Sequence, residues 1–137
     1  MLAAKHQVIP DKAIFFAGAS MKTLLIINDP PYGTERMYNA LRLAATLLKD
    51  AANHVSVFLM ADAVSGCKAG QKTPDGYYNV ERMLRRVTNN AQGEVLLCGT
   101  CLDARGIKDE EVMPGARRST MDELAVATVA ANKVLVF

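Results

Sequence analysis

Short apolar runs along the chain alternate with segments in which apolar residues recur at helical spacing. The runs are rich in branched side chains, as expected of strands that are covered on both faces. They lie at residues 23–27, 55–60, 95–97 and 133–137, and a further brief strand is predicted around residues 112–113. Helical spacing marks residues 35–49, 78–89 and 121–132. This alternation of strand and helix predicts an α/β fold, with a parallel sheet between helix layers.

The first and last predicted helices also have candidate capping residues, and the first has additional apolar positions. Thr34 is expected to cap the first helix, and Thr120 with Glu123 predicts a capping box at the start of the last one. Leu43 and Leu47 lie off the main apolar stripe of the first helix, which therefore has two apolar sides. In so small a domain, the second apolar side predicts a subunit contact.

The segment Cys98-Gly99-Thr100-Cys101 follows the apolar run 95–97 directly. An apolar run closed by glycine predicts a buried strand that ends in a tight turn. Thr100 is expected to cap a short helix that begins at Cys101 and stops at Gly106. Both thiols would then lie at the carboxyl end of a strand, where parallel sheets form their working sites. Free N–H groups and the helix dipole lower the pKa of a thiol there, so the sequence predicts sulfur chemistry at Cys98 and Cys101.

Other interpretations of the two thiols stay open at this point. Free cysteine is among the most buried residue types, so both thiols could be inert packing residues. The Cys-x-x-Cys spacing is also that of thiol–disulfide oxidoreductases, although here it lies in the C-terminal half with no tryptophan beside it. A zinc site needs about four ligands. Cys67, His6 and His54 add no second Cys-x-x-Cys pair, so no metal is expected.

Composition narrows the class of protein further. The 137 residues suffice for one domain with a real core. A net charge of +2 with few aromatic residues gives no reason to expect nucleic acid, and no apolar run approaches the ~20 residues that cross a bilayer. Three cysteines are too few for a disulfide scaffold, which favours a cytoplasmic location. Without a glycine-rich phosphate loop or a His–carboxylate pair, no cofactor and no hydrolase are expected.

The first twenty residues differ from the rest of the chain. Their apolar patch, residues 13–19, follows Pro10, Asp11 and Lys12 directly and is short for the ~7–15 residue core of a signal peptide. We therefore expect an N-terminal extension over residues 1–20 and a single domain over residues 21–137.

Several short segments, taken together in their order and spacing, resemble the sequence pattern of a known protein family. They are Asn28, Pro31-Tyr32-Gly33, Asn39-Ala40-Leu41-Arg42-Leu43-Ala44, Phe58-Leu59-Met60-Ala61-Asp62-Ala63-Val64, Gly70-Gln71-Lys72, Gly76-Tyr77-Tyr78-Asn79, Leu97-Cys98-Gly99-Thr100-Cys101, Arg105-Gly106-Ile107 and Asp122-Glu123-Leu124-Ala125. Together they resemble the YchN branch of the DsrE/F-like sulfur-relay family. The resemblance covers essentially all of residues 21–137 and none of the extension.

This resemblance implies a three-layer α/β/α sandwich with a five-stranded parallel sheet, assembled as a homo-oligomer and commonly as a hexamer. Sulfur-relay members carry a cysteine at the position matched here by Cys98, and they pass sulfane sulfur through a persulfide on it. The implied partners are sulfur donor and acceptor proteins or small sulfane-sulfur compounds. Cys67 has no matched counterpart, and no role is carried over to it.

Five further residues are candidates for substrate binding. The N–H groups of the turn at Gly99 and Thr100 can hold an anionic persulfide. Asn28 and Tyr32 can orient a substrate or only shape the turn after the first strand. Arg105 can pair with an anion beside the thiolate or only with the C-terminus of its own short helix. A non-catalytic oligomeric binding protein stays open as a third class of function.

Overall fold

The structure is a computed structural model that describes residues 19–137. Its five strands are β1 (Met21–Ile27), β2 (Asn53–Leu59), β3 (Gly93–Cys98), β4 (Ala116–Ser119) and β5 (Lys133–Val136). Its four α-helices are α1 (Arg36–Leu47), α2 (Val80–Thr88), α3 (Gly99–Ala104) and α4 (Met121–Ala130). Two 3-10 segments, Ala61–Cys67 and Asp109–Glu111, complete the set. The expected extension falls almost wholly on residues 1–18, which lie outside the described residues.

All five strands are parallel and lie in the order β4-β3-β2-β1-β5. Adjacent residues of a strand face opposite sides of the sheet, and helices pack against both sides. Helix α1 packs on the side of Thr23, where Leu43 and Leu47 line a groove with Leu135. Helix α4 packs on the side of Leu24. The predicted α/β/α sandwich with a five-stranded parallel sheet is confirmed.

The core is apolar and runs through both faces of the sheet. Its largest fully buried side chains include Phe58, Leu24, Leu25, Met37 and Leu84. Burying such a side chain stabilises the fold by about 1.5–3 kcal/mol, which explains why the central strands read as continuous apolar runs. Within residues 19–137, no helix is both long and apolar enough to cross a membrane.

Three local predictions are wrong in position. Helix α1 is preceded by Glu35 as its N-cap, because the Thr34 hydroxyl donates to Asp29 instead. Helix α3 begins at Gly99, since the Cys98 sulfur, and not Thr100, accepts the N–H group of Cys101 at the helix start. The strand expected at 112–113 lies later, at β4, while Val112 makes only an isolated bridge.

The end of α3 and the start of α4 follow the sequence signals. Gly106 follows α3 in the left-handed conformation, with a φ of 62°, as its predicted stop position requires. Thr120 caps α4 by accepting the N–H group of Glu123. The Glu123 carboxylate binds Ser119 and Arg117, so only one half of the predicted capping box is formed.

Candidate functional site

Cys98 is the last residue of β3 and stands in register with Ser119, the last residue of β4. Its side chain belongs to the face of the sheet that α4 covers, because Leu96, two residues earlier, lines a groove against α4. Cys98 is 8% exposed. It lines a cavity of about 440 Å³ together with Phe58, Thr100 and Met121. The thiol is therefore nearly buried but opens onto a cavity beyond the carboxyl end of the sheet.

The hydrogen bonds at the Cys98 sulfur favour its thiolate form. The backbone N–H of Cys101 lies 3.4 Å from this sulfur, and the Thr100 hydroxyl lies 3.3 Å from it. Burial raises the pKa of Cys98, but hydrogen bonds from the Cys101 thiol, from the Thr100 hydroxyl and from the two backbone N–H groups outweigh it. The net pKa of Cys98 is below that of an ordinary thiol, so Cys98 ionises more readily than its neighbour Cys101.

Cys101 has the opposite tendency. Burial and the neighbouring Cys98 sulfur raise its pKa, while the N–H group of Ala61 opposes the rise. That N–H lies 3.2 Å from the Cys101 sulfur. Of the two thiols, Cys98 therefore has the lower pKa and ionises first. When one of the two neighbouring thiols ionises, the remaining proton is accordingly favoured on Cys101.

The third cysteine lies apart from this pair. Cys67 is fully buried, and burial raises the pKa of its thiol to about 11. A thiol of that pKa is protonated at neutral pH and chemically inert. Across residues 19–137, no group of three or more His, Cys, Asp or Glu side chains is arranged to hold a metal ion.

Arg105 is engaged by its own helix and by the segment after β2. Its Nη1 donates to the carbonyl oxygen of Cys101 over 3.1 Å, and its Nη2 lies 2.8 Å from Asp62 Oδ1. Arg105 therefore ties the Cys101 turn to the 3-10 segment 61–67. The contact of Arg105 with its own helix is present, and pairing with an anion beside the thiolate stays a prediction.

Asn28 and Tyr32 lie away from the two thiols. Asn28 follows β1, two strands from β3, and its amide donates to the carbonyl oxygen of Phe137. The Tyr32 hydroxyl donates to Gln71 and accepts the N–H group of Val80. Neither residue lines the Cys98 cavity. Both contacts fix the loop after β1, and substrate orientation by these two residues stays a prediction.

Sequence reasoning missed several residues that contact the pair. Ala61 supplies an N–H group, and Arg118 binds the carbonyl oxygen of Gly99 over 3.0 Å. Ser119 and Glu123 line the Cys98 cavity. Arg118 lies on strand β4, for which the sequence carries no apolar signal. Its proximity to Cys98 depends on the β3–β4 pairing, which the sequence does not specify.

Comparison with known proteins agrees with this architecture. Residues 21–137 match the DsrE/DsrF-like family. The chain is 42% identical over 118 residues to Protein YchN of Escherichia coli (strain K12), a match that covers 85% of this chain and 98% of that protein. The crystal structure of the ychN protein from E. coli gives a TM-score of 0.80 at 40% identity and covers 85% of this chain and 99% of that one. The chain belongs to the DsrE/DsrF-like family, and the resemblance seen in the sequence is confirmed.

A more distant relative carries a functional name. Sulfurtransferase TusD of Salmonella typhi is 23% identical to this chain over 128 residues, covering 85% of this chain and 100% of TusD.

Proposed function

We propose that this protein is a sulfur-relay component that carries sulfane sulfur as a persulfide on Cys98. The observation that carries the proposal is the Cys98 sulfur itself. It is nearly buried, it accepts the N–H group of Cys101 over 3.4 Å, and it opens onto a cavity at the carboxyl end of the sheet. The distant similarity to sulfurtransferase TusD supports the same chemistry.

The transfer needs no oxidant or reductant. The Cys98 thiolate attacks the outer sulfur of a donor persulfide, R–S–SH. A new S–S bond forms on Cys98 as the donor S–S bond breaks, and the donor leaves as its thiolate, which takes up a proton. An acceptor thiolate then attacks the outer sulfur on Cys98 and releases the Cys98 thiolate. The proposed partners are therefore sulfur donor and acceptor proteins or small sulfane-sulfur compounds.

The groups around Cys98 favour both steps of the transfer, the uptake of sulfur from the donor and its release to the acceptor. A lowered pKa increases the fraction of Cys98 present as the thiolate and makes Cys98 a better leaving group. The Thr100 hydroxyl and the turn N–H groups stabilise the negative charge in either state. Cys101, held as a thiol, can supply a proton to the departing sulfur.

The proposal includes assembly as a homo-oligomer, a hexamer in the form that the family resemblance implies, in the cytoplasm. Helix α4 supports the assembly because it is apolar nearly all round, yet Leu124 is its only buried residue. Val126 and Val129 are 70% and 88% exposed, and Val136 of the edge strand β5 is 67% exposed. Such a surface marks a protein contact. The predicted contact through Leu43 and Leu47 involves less exposed side chains, because these two leucines pack partly on the core.

A dithiol redox role is the second candidate, favoured by the contact between Cys98 and Cys101. The two roles are separated by incubating wild type, Cys98→Ser and Cys101→Ser with inorganic polysulfide and measuring the intact mass. We expect Cys98→Ser to lose the added sulfur atom and Cys101→Ser to keep most of it. Equal loss in both variants would favour the dithiol role, and full loading of Cys98→Ser would refute Cys98 as the carrier. If none of the three proteins gains sulfur, the remaining candidate function is that of a non-catalytic oligomeric binding protein.

A further inference from the structure

Arg118, near the end of the edge strand β4, has every nitrogen of its guanidinium group engaged. Its Nη1 donates to the carbonyl oxygen of Gly99 over 3.0 Å and to Asp103 over 2.9 Å. Its Nε and Nη2 donate to Asp109 over 3.1 and 2.9 Å. A planar donor held at three points by a carbonyl and two carboxylates has little freedom to rotate. The side chain is therefore fixed against the first residue of α3.

The carbonyl that Arg118 binds belongs to the same peptide unit as the N–H group of Thr100. The peptide is trans, so its oxygen and its N–H point in opposite directions. The oxygen faces Arg118, and the same peptide unit carries Thr100, whose hydroxyl lies 3.3 Å from the Cys98 sulfur. The Thr100 N–H group also contributes to the lowered pKa of Cys98. A charge-assisted hydrogen bond at the oxygen both fixes the orientation of this unit and polarises its N–H.

Gly99 makes this contact close. A Cβ atom at position 99 would lie 3.1 Å from Arg118 Cγ, 3.2 Å from Arg118 Nη1 and 3.1 Å from the carbonyl oxygen of Ser119. Any other residue would therefore push the arginine or the β4 backbone away from the turn. Glycine at this position thus serves the approach of Arg118 as well as the turn itself.

Two neighbouring carboxylates compensate the positive charge of Arg118. Asp103 and Asp109 both pair with it, so the local charge of the cluster is that of one net carboxylate. A through-space attraction between Arg118 and the Cys98 thiolate is weakened by these partners. The peptide unit of Gly99 and Thr100 is the direct physical link that the structure provides between the two residues.

Arg117 provides a control position for the substitution of Arg118. It is the neighbouring residue of the same strand, but it faces the opposite side and pairs with Glu123 over 2.9 Å. Its side chain is 57% exposed. Removing Arg117 takes away one surface cation of the same kind without touching the Gly99 carbonyl.

We propose that Arg118 is a positioning residue for the nucleophile, acting on Cys98 through the peptide unit that joins Gly99 to Thr100. The inference rests on the proposed role of Cys98 as the reactive thiol, and it extends that role to a residue twenty positions away. Arg118 lines the Cys98 cavity but makes no hydrogen bond to the sulfur. It fixes the donor groups that hold the thiolate.

The test measures Cys98 directly, without any sulfur donor. The rate of alkylation by neutral iodoacetamide is followed from pH 5 to 10 in wild type, Arg118→Ala, Arg118→Lys and Arg117→Ala, and tandem mass spectrometry assigns the label to Cys98 or Cys101. We expect Arg118→Ala to raise the midpoint of the Cys98 profile by roughly half a unit to one unit, the effect of weakening one or two hydrogen bonds to a charged form. Arg118→Lys, which keeps one donor, should fall between, and Arg117→Ala should match wild type.

The outcomes separate positioning from simple support of the fold. If folded Arg118→Ala has the wild-type midpoint, or if Arg117→Ala shifts it equally, the proposal is overturned. If Arg118→Ala does not fold, Arg118→Lys decides in the same way, and an unshifted midpoint in that variant overturns the proposal. A lower melting temperature with an unchanged profile would assign Arg118 to stability alone. Because the profile needs no persulfide, it can succeed where sulfur loading fails, so failure of the positioning role can be told apart from failure of the sulfur-carrier role.

Discussion

The N–H group of Ala61 donates a hydrogen bond to the Cys101 sulfur over 3.2 Å, although the two residues are 40 positions apart in the chain. Ala61 has a φ of 50°, the only positive value among the non-glycine residues that the structure describes. Such a backbone conformation costs about 1–3 kcal/mol and persists only where the surroundings impose it. The start of the 3-10 segment after β2 is therefore held in a strained conformation that turns a donor towards one thiol of the pair.

The three cysteines should react in a fixed order as pH rises. Hydrogen bonds lower the pKa of Cys98, the neighbouring sulfur and burial raise that of Cys101, and burial raises that of Cys67 to about 11. We expect iodoacetamide to label Cys98 at the lowest pH, Cys101 at a higher pH, and Cys67 only in denaturant. Site-resolved mass spectrometry of wild type measures all three. Labelling of Cys101 before Cys98 would reverse the assignment of nucleophile and proton donor.

Substitution of Gly99 should affect the same thiol through Arg118. In Gly99→Ala the new methyl group displaces Arg118 or the β4 backbone, at a cost of about 1–3 kcal/mol. The midpoint of Cys98 alkylation should rise as well. Gly66→Ala is the matched control, because its Cβ would lie equally close, 3.1 Å, to Met37 and Val80, neither of which lines the Cys98 cavity. A shift of the Cys98 midpoint in both variants would mean that crowding in general perturbs the site.

Glu81 should make stability depend on pH. Its buried carboxylate accepts the N–H group of Gln71 over 2.7 Å and pairs with Arg85 over 2.7 Å, and the hydrogen bond from Arg85, with those from the backbone, lowers its pKa. A group whose folded-state pKa is lowered contributes stability above its unfolded pKa, and that contribution is lost as pH falls through the folded value.

We therefore expect Glu81→Gln to lower the free energy of unfolding by about 1–2 kcal/mol at neutral pH. The difference from wild type should shrink below about pH 4, where the wild-type carboxylate also takes up a proton. Urea unfolding at several pH values measures both effects. Glu94→Gln, an exposed side chain bonded to Ser56, serves as the control and should change stability by less than 0.5 kcal/mol. A deficit of Glu81→Gln that is constant with pH would contradict the assignment.

Charges on the outer face of α4 should break the proposed assembly and spare the fold. Val126 and Val129 are 70% and 88% exposed within one chain, so Val126→Glu with Val129→Glu should leave the unfolding transition of a single chain nearly unchanged. The same pair places two like charges in any interface that uses α4. Sedimentation velocity should show smaller species for this variant, and wild-type behaviour for the control Arg86→Glu on α2. A variant that still assembles as wild type would exclude α4 from the contact.

Removal of residues 1–20 should leave the domain intact. The first strand begins at Met21, whose N–H group binds the carbonyl oxygen of Ala52. A chain that starts at Met21 should therefore fold and assemble with a melting temperature close to that of the full chain. A severe drop in that temperature would show that the apolar patch 13–19 packs on the domain.

The sequence was most informative where burial and periodicity coincide. The central strands β1, β2 and β3 were predictable because each is covered on both faces and contains a run of mainly apolar, branched residues. Helix α2 was predictable from its apolar spacing, although its first two expected residues lie outside it. Strand β4 was missed because its residues Ala116–Ser119 include two arginines and only Ser119 is buried. A short edge strand carries no apolar signal.

The sequence by itself determined the fold class and the two thiols, because strand–helix alternation and a Cys-x-x-Cys segment after a buried strand are local patterns. Tertiary structure decided which groups surround those thiols. Ala61 reaches Cys101 only because β2 lies beside β3, and Arg118 reaches Gly99 only because β4 pairs on the other side of β3. Strand order depends on how the whole sheet buries its two faces. The residues around a cysteine therefore do not reveal a hydrogen-bond donor that a neighbouring strand supplies.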